Sequence, residues 1–315
     1  MNPENIVGVK MSDLGQRFNL VGMFPSVTLF VLILAHFWSG APFAQPNPDA
    51  ILSHVRALDA KEGVFYILGL LALTVLLHPL QLPLVRLLEG YWGSTRLARF
   101  LSKFSIDAHR QRRDRLEKGQ IVLSAEEPTE SDRRRMEDAA YKLRRFYPAK
   151  DRVLPTTLGN VMRAGEDLAG RRYGLDAIVI WPRLYPLLPE GLKETVNDQR
   201  TQLDLAVRFC AVLFLGALIS FTLLAVHGWW LLFPASLLVM TWISYRSAIA
   251  AALAYGESIQ TAFDLHRFDL LKGLHLPLPA TRDAERVANE ALCDFLRQGV
   301  PKNLRYMHIK TNAKV

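Results

Sequence analysis

Cysteine is scarce: Cys210 and Cys293 are the only two in 315 residues, so at most one bridge could form and a disulfide scaffold is excluded. The usual catalytic signatures are missing as well. The chain has no GxxxxGKS or GxxxxGKT phosphate loop, no HExxH, no GxSxG and no CxxC. No stretch sustains the alternation of a strand, and no internal repeat of useful length is present. With half its residues apolar, the composition also excludes a disordered chain and a collagen.

What is present looks contradictory. Charged residues make up 22 %, yet the mean hydropathy is +0.11. The contradiction resolves once the apolar residues are located, because they come in blocks. Residues 18–38 and 64–85 carry no charge, 205–226 carry only Arg208, and 229–245 lead into Arg246 and a small-residue run at 247–252. A helix rises about 1.5 Å per residue, so about 20 apolar residues cover a hydrocarbon core of about 30 Å. The spacing predicts four spans, near 18–38, 64–85, 205–226 and 229–250. Arg246 is accommodated by snorkelling to the headgroups. The first block is longer than a signal-peptide core and runs from Ser39-Gly40-Ala41 into Pro42, which predicts an uncleaved span.

Orientation follows from Lys and Arg. Residues 39–62 hold only Arg56 and Lys61, and the link at His227-Gly228 holds none. Close to the membrane on the other side fall Lys10, Arg17, Arg86, Arg96, Arg99, Lys103, Arg183, Lys193, Arg200, Arg208 and Arg246. The positive-inside bias places both termini and 88–202 in the cytoplasm of an inner-membrane protein. Trp38, Tyr91, Trp92, Trp229 and Trp230 lie where an aromatic belt would.

The cytoplasmic part reads as helices. Residues 95–120 place Leu97, Phe100, Leu101 and Phe104 on one stripe, ahead of the basic cluster at 110–115. Residues 129–147 form a second helix, with Ser131 as its expected cap and Met136, Ala139, Ala140, Leu143 and Phe146 on its buried side. Between Pro148 and Pro155 lies a connector, followed by a helix over 156–172 that ends at Tyr173-Gly174. The apolar segment 175–188 suits either a buried helix or a segment lying in the headgroup layer. Residues 190–200 and 245–271 continue the third and fourth spans as unbroken helices, and Thr281 caps a last helix over 282–298. The fold class is therefore an all-α membrane protein of two transmembrane hairpins, with a helical cytoplasmic domain between spans two and three and a helical tail. The layout is 1–92, 93–202, 203–256 and 257–315.

The chemistry-bearing residues are few, and no catalytic, cofactor-binding or metal-ligating residue is assigned. At membrane depth stand His78, Pro79, Pro83 and Arg208; ionisable groups and proline breaks there can line a cavity. Gly216 and Ser220, and Ser244, Ala248, Ala252 and Gly256, recur every four residues and permit close helix approach within the bundle or between copies of a homo-oligomer. Arg112, Arg113, Arg115, Arg133, Arg134 and Arg135 suit anionic lipid; the net charge of +8 belongs to the cytoplasmic face and does not point to nucleic acid. Glu166 and Asp167 diverge on a helix, so pairing of Asp167 with Arg163 and Arg171 is expected, and Asp264, His266 and Asp269 read as a solvated face. The leading expectation is a non-enzymatic sensor, scaffold or anchor for a cytoplasmic partner. An oligomeric channel, pore or membrane-disrupting effector comes second, and an enzyme acting on lipid or a phosphorylated substrate third.

Overall fold

The computed structural model describes residues 23–122, 129–299 and 306–307. Lys10, Arg17, the start of the first apolar block, the turn at 126–128 and the basic C-terminal residues lie outside the described residues. All regular elements are helical, with no strand among the described residues. The chain divides into two compact units, one of residues 1–91 and 201–251, the other of 92–200 and 252–315.

In the first unit, α1 (Phe24–Trp38) packs on α2 (Pro48–Ala57) and α3 (Ala60–Leu77). The α2 helix occupies a stretch marked in the sequence by its low content of Lys and Arg. Its signal is local: the Asn47 side chain accepts from Asp49 N at 3.0 Å, and Pro48 holds the first helical position, where its missing N–H costs nothing. Asp59 caps α3 by accepting from Glu62 N at 2.7 Å. Though strongly apolar, α3 buries none of its residues. An apolar helix that leaves most of its surface uncovered by protein suits an apolar solvent. Three helical stretches, Ala60–Leu80, Glu190–Leu224 and Gly228–Gly273, are long and apolar enough to cross a membrane, while the apolar Phe24–Trp38 has 15 residues.

The proline-rich end of α3 is a break and restart. The helix stops at Leu77, one 3-10 turn covers His78–Leu80, and α4 (Gln81–Glu89) begins with Pro83 in its first turn, where N–H groups have no intrahelical acceptor. As the sequence predicts, α9 (Glu190–Leu224) and α10 (Leu232–Gly273) run on without interruption beyond their apolar stretches.

The second unit contains α5 (Arg96–Val122), α6 (Glu130–Phe146), α7 (Thr157–Ala169), α8 (Ala177–Leu184) and α11 (Arg282–Gln298), together with the first residues of α9 and the last of α10. Each of α5 to α7 packs on the next, and α8 packs on α7 and α11. Thr129 caps α6, accepting from Asp132 N; the expected cap, Ser131, instead lies in the first turn and meets the Thr129 hydroxyl. The last helix begins behind Thr281 as predicted. Leu175, Ala177, Ile180, Leu184 and Leu188 join Phe263 and Leu270 in the core, so 175–188 is a core segment whose outer side shows Ile178 and Leu187. The stripe on α5 behaves differently: Leu97, Phe100, Leu101 and Phe104 are 68, 70, 46 and 74 % exposed.

Candidate functional site

A concave site lies in the second unit and is built around the connector before α7. The fully buried Asn160 accepts from Leu154 N at 2.7 Å and donates to Leu154 O at 2.9 Å. Both free valences of one backbone position are thereby satisfied, which fixes the connector against its own helix. Thr156 caps α7 by accepting from Gly159 N at 3.1 Å. With its chain held in this way, Arg152 reaches the far end of α7, pairing with Glu166 at 3.2 Å and with Asp167. Asp167 also accepts from Ala149 N at 3.1 Å and pairs with Arg171 at 3.5 Å, while Arg163 donates to the Arg152 carbonyl at 3.0 Å. The i, i+4 pairing of Asp167 with Arg171 expected from the sequence is present. The decisive partner, Arg152, comes from the connector, which no helical spacing could announce.

On the opposite wall, Gly174 adopts φ +75°, and a Cβ there would fall 2.5 Å from the Arg286 carbonyl oxygen. Only glycine allows this conformation and this approach without strain. The approach seats α11, where Asn289 donates to Tyr173 O at 2.8 Å. Asp176 caps α8, donates its backbone N–H to Cys293 Sγ at 3.2 Å and pairs with Arg297. Behind them, Tyr173 donates to Asp264 at 2.7 Å, and the Arg267 guanidinium lies 4.1 Å over the Tyr173 ring while pairing with Glu285 at 2.7 Å.

Between these walls lies a cavity of about 710 Å³ lined by four arginines (Arg152, Arg171, Arg286, Arg297) and five carboxylates (Glu166, Asp167, Asp176, Glu290, Asp294). It adjoins a smaller, apolar cavity of about 250 Å³ lined by Met162, Trp181, Pro182, Tyr255 and Ile259, with which it shares Glu166, Ala177 and Ile178. Burial pushes the Glu166 carboxyl above its ordinary range, opposed by Arg152 and Arg163. Burial likewise raises the Cys293 thiol, which keeps it protonated and poorly nucleophilic. Every arginine of the larger cavity has a carboxylate within 4 Å. The site can therefore exchange hydrogen bonds with a ligand or peptide that carries both donors and acceptors, and its apolar annex can take a hydrophobic group. Among the described residues no three His, Cys, Asp or Glu converge as a metal site requires.

The residues singled out in the sequence fall elsewhere. In the first unit, His78 and Arg208 line one small cavity of about 30 Å³ together with Ser26 and Thr74, and Pro79 lies in the adjoining turn. Gly216 faces Leu32 of α1, Ser220 and Ala248 are buried, and Ser244 Oγ donates to the Ala206 carbonyl at 2.9 Å. Ala252 and Gly256, in the second unit, are also covered, Gly256 by Gly165. The small-residue stripe is thus used within the chain. Of the basic clusters, Arg112, Arg115, Arg133, Arg134 and Arg135 are exposed, while Arg113 is half-buried, donating to Pro148 O at 3.3 Å and pairing with Glu117 at 2.9 Å. His266 pairs with Asp269 at 2.9 Å, a local contact that holds the Asp269 carboxyl below its ordinary range.

Fold and site together define an all-helical chain with membrane-length apolar helices and a helical unit bearing an ion-paired cavity. Comparison with protein-family models, curated proteins and solved structures finds no match.

Proposed function

We propose that the chain is a non-enzymatic membrane protein of four spans, with both termini and 88–202 on the cytoplasmic side of the inner membrane, and that it acts as a sensor or anchor for a cytoplasmic partner. The observation that carries this reading is the continuity of α9 and α10. Each belongs over part of its length to the unit with the apolar helices, and over the rest to the unit that holds the ion-paired cavity. The two helices thus give the helical unit a continuous covalent connection to the apolar one, as an anchored cytoplasmic domain requires. In this reading, α1 belongs to the first span, and the close approach of Gly216 to Leu32 supports its place in the bundle.

Topology is tested by accessibility of single cysteines in intact cells: R56C should react with an impermeant reagent, whereas Q111C should react only after permeabilisation. The partner is tested by crosslinking the full chain in native membranes. A specific cytoplasmic adduct, lost when Arg286→Glu and Glu290→Arg reshape the cavity, is expected; an adduct unchanged by those substitutions overturns the role given to the cavity.

A pore is the second reading, supported by the meeting of His78 and Arg208 at one cavity. That cavity, at about 30 Å³, has room for about one water, far from a hydrated path. Planar-bilayer currents abolished by His78→Ala would install it in first place.

A further inference from the structure

We propose that the N-terminal half of α5 lies in the cytoplasmic headgroup layer, its outward stripe of Leu97, Phe100, Leu101 and Phe104 dipping into the acyl boundary of anionic lipid. This inference rests on the reading of the chain as membrane-embedded. It begins from a mismatch. The four residues share one face at i, i+3, i+4 and i+7, the pattern of a helix that buries one side, yet all four are between 46 and 74 % exposed.

The helix cannot turn that face inward, because its other side is already committed. Ala98 is buried, Ser105 Oγ donates to the Pro155 carbonyl at 2.5 Å, His109 is buried against Tyr147, and Arg113 holds Pro148 O. The packing that fixes α5 in its unit therefore displays the stripe.

Two further observations select lipid as the occupant. The first is chain length. Only residues 90–95 separate the end of α4 from the start of α5, and six extended residues reach at most about 20 Å. The start of α5 is thus tethered within that reach of the helix pair that contains the apolar, unburied α3, and Tyr91 and Trp92, residue types of the membrane interface, lie in the tether. The second is charge. Arg96, Arg99 and Lys103 are exposed among the four apolar residues, with no carboxylate between 90 and 106. Long cationic side chains beside an apolar stripe are the makeup of a helix lying in an anionic interface, where they reach the phosphates while the rings sink below them. Beyond Phe104 the apolar face ends and the strongly basic, water-facing part of α5 begins, so about three turns are immersed.

The test uses the full chain, with Cys210 and Cys293 replaced by alanine, in vesicles of three parts phosphatidylethanolamine to one part phosphatidylglycerol. A bimane label is placed singly at L97C, F100C, L101C or F104C, at Q111C as a water-facing control and at L71C as a membrane control. Lipids brominated near the top of the acyl chain should quench the four stripe labels at least twofold more than the label at 111, and aqueous iodide should quench them less. Lipid quenching at 71 combined with stripe labels that behave like 111 overturns this proposal alone. Absence of lipid quenching at 71 overturns the membrane reading beneath it. Oxidative crosslinking of F100C or F104C into a symmetric dimer would assign the stripe to a second copy and likewise overturn it.

Discussion

Gly165 of α7 and Gly256 of α10 face each other so closely that a Cβ built on either would lie 3.1 or 3.2 Å from the other's Cα. Backbone meets backbone at this point, with no side chain between. Gly256→Val should therefore cost about 1–3 kcal/mol of stability through overpacking. Gly191→Ala, where nothing lies within 4 Å, should be neutral or stabilising by up to about 1 kcal/mol. Thermal unfolding of the detergent-solubilised chain separates the two outcomes.

Arg267 and Glu285 form a buried pair in the second unit, their side chains 17 and 7 % exposed. Removing either partner leaves the other charged group stranded, at about 3–5 kcal/mol. Glu285→Ala and Arg267→Ala should each destabilise by that order, and the double variant by much less than their sum. Arg267→Lys should not rescue, because the flat guanidinium over Tyr173 and Phe268 has no ammonium equivalent. A double-mutant cycle measured by denaturant unfolding checks both statements.

His109 supplies a pH dependence. It is buried against Tyr147, its Nδ1 has no hydrogen-bond partner among the described residues, and burial, aided by Arg112, lowers its pKa below the ordinary 6.5. The unfolded chain therefore takes up this proton at a higher pH than the folded one does. The associated stability is complete above 6.5 and declines as pH falls from there through the lowered folded value, by up to about 1.4 kcal/mol per pH unit. His109→Gln should flatten the stability profile in that window, as pH-dependent denaturant unfolding would show.

Ala248 and Ala252 are 0 and 1 % exposed within a single chain. Single cysteines placed there in a background free of Cys210 and Cys293 should give no copper-phenanthroline dimer and should react slowly with maleimide. A symmetric dimer would show that the stripe joins two copies.

Much of the helical order can be read from the residues, because caps and periodicity are local. Thr281 and the continuity of 245–271 act through neighbours in sequence, and each is where the pattern puts it. The helix expected over 156–172 instead stops at Ala169 with Gly170 behind it, and Gly174 closes the 3-10 turn Arg171–Tyr173. What escaped reading depends on distant partners. Periodicity shows that Leu97, Phe100, Leu101 and Phe104 share a face but is silent on what that face meets. Within 245–271, Leu265 is 65 % exposed while Phe263 and Leu270 are in the core. The candidate cavity was invisible for the same reason. Its arginines and carboxylates are spread from residue 152 to residue 297, and only folding brings them together.

The length of α10 has one consequence for engineering and for evolution alike. Its 42 residues form about 63 Å of helix without a joint. A one-residue insertion anywhere along it would turn all that follows by about 100° and advance it by about 1.5 Å. Inserted between Gly256 and Arg267, a single alanine would leave Gly256 on Gly165 only by swinging Arg267 off Glu285, while three or four alanines would nearly restore their relative azimuth. Gly256 and Arg267 are phase-locked by their contacts, so insertions between them should be tolerated in near-whole turns.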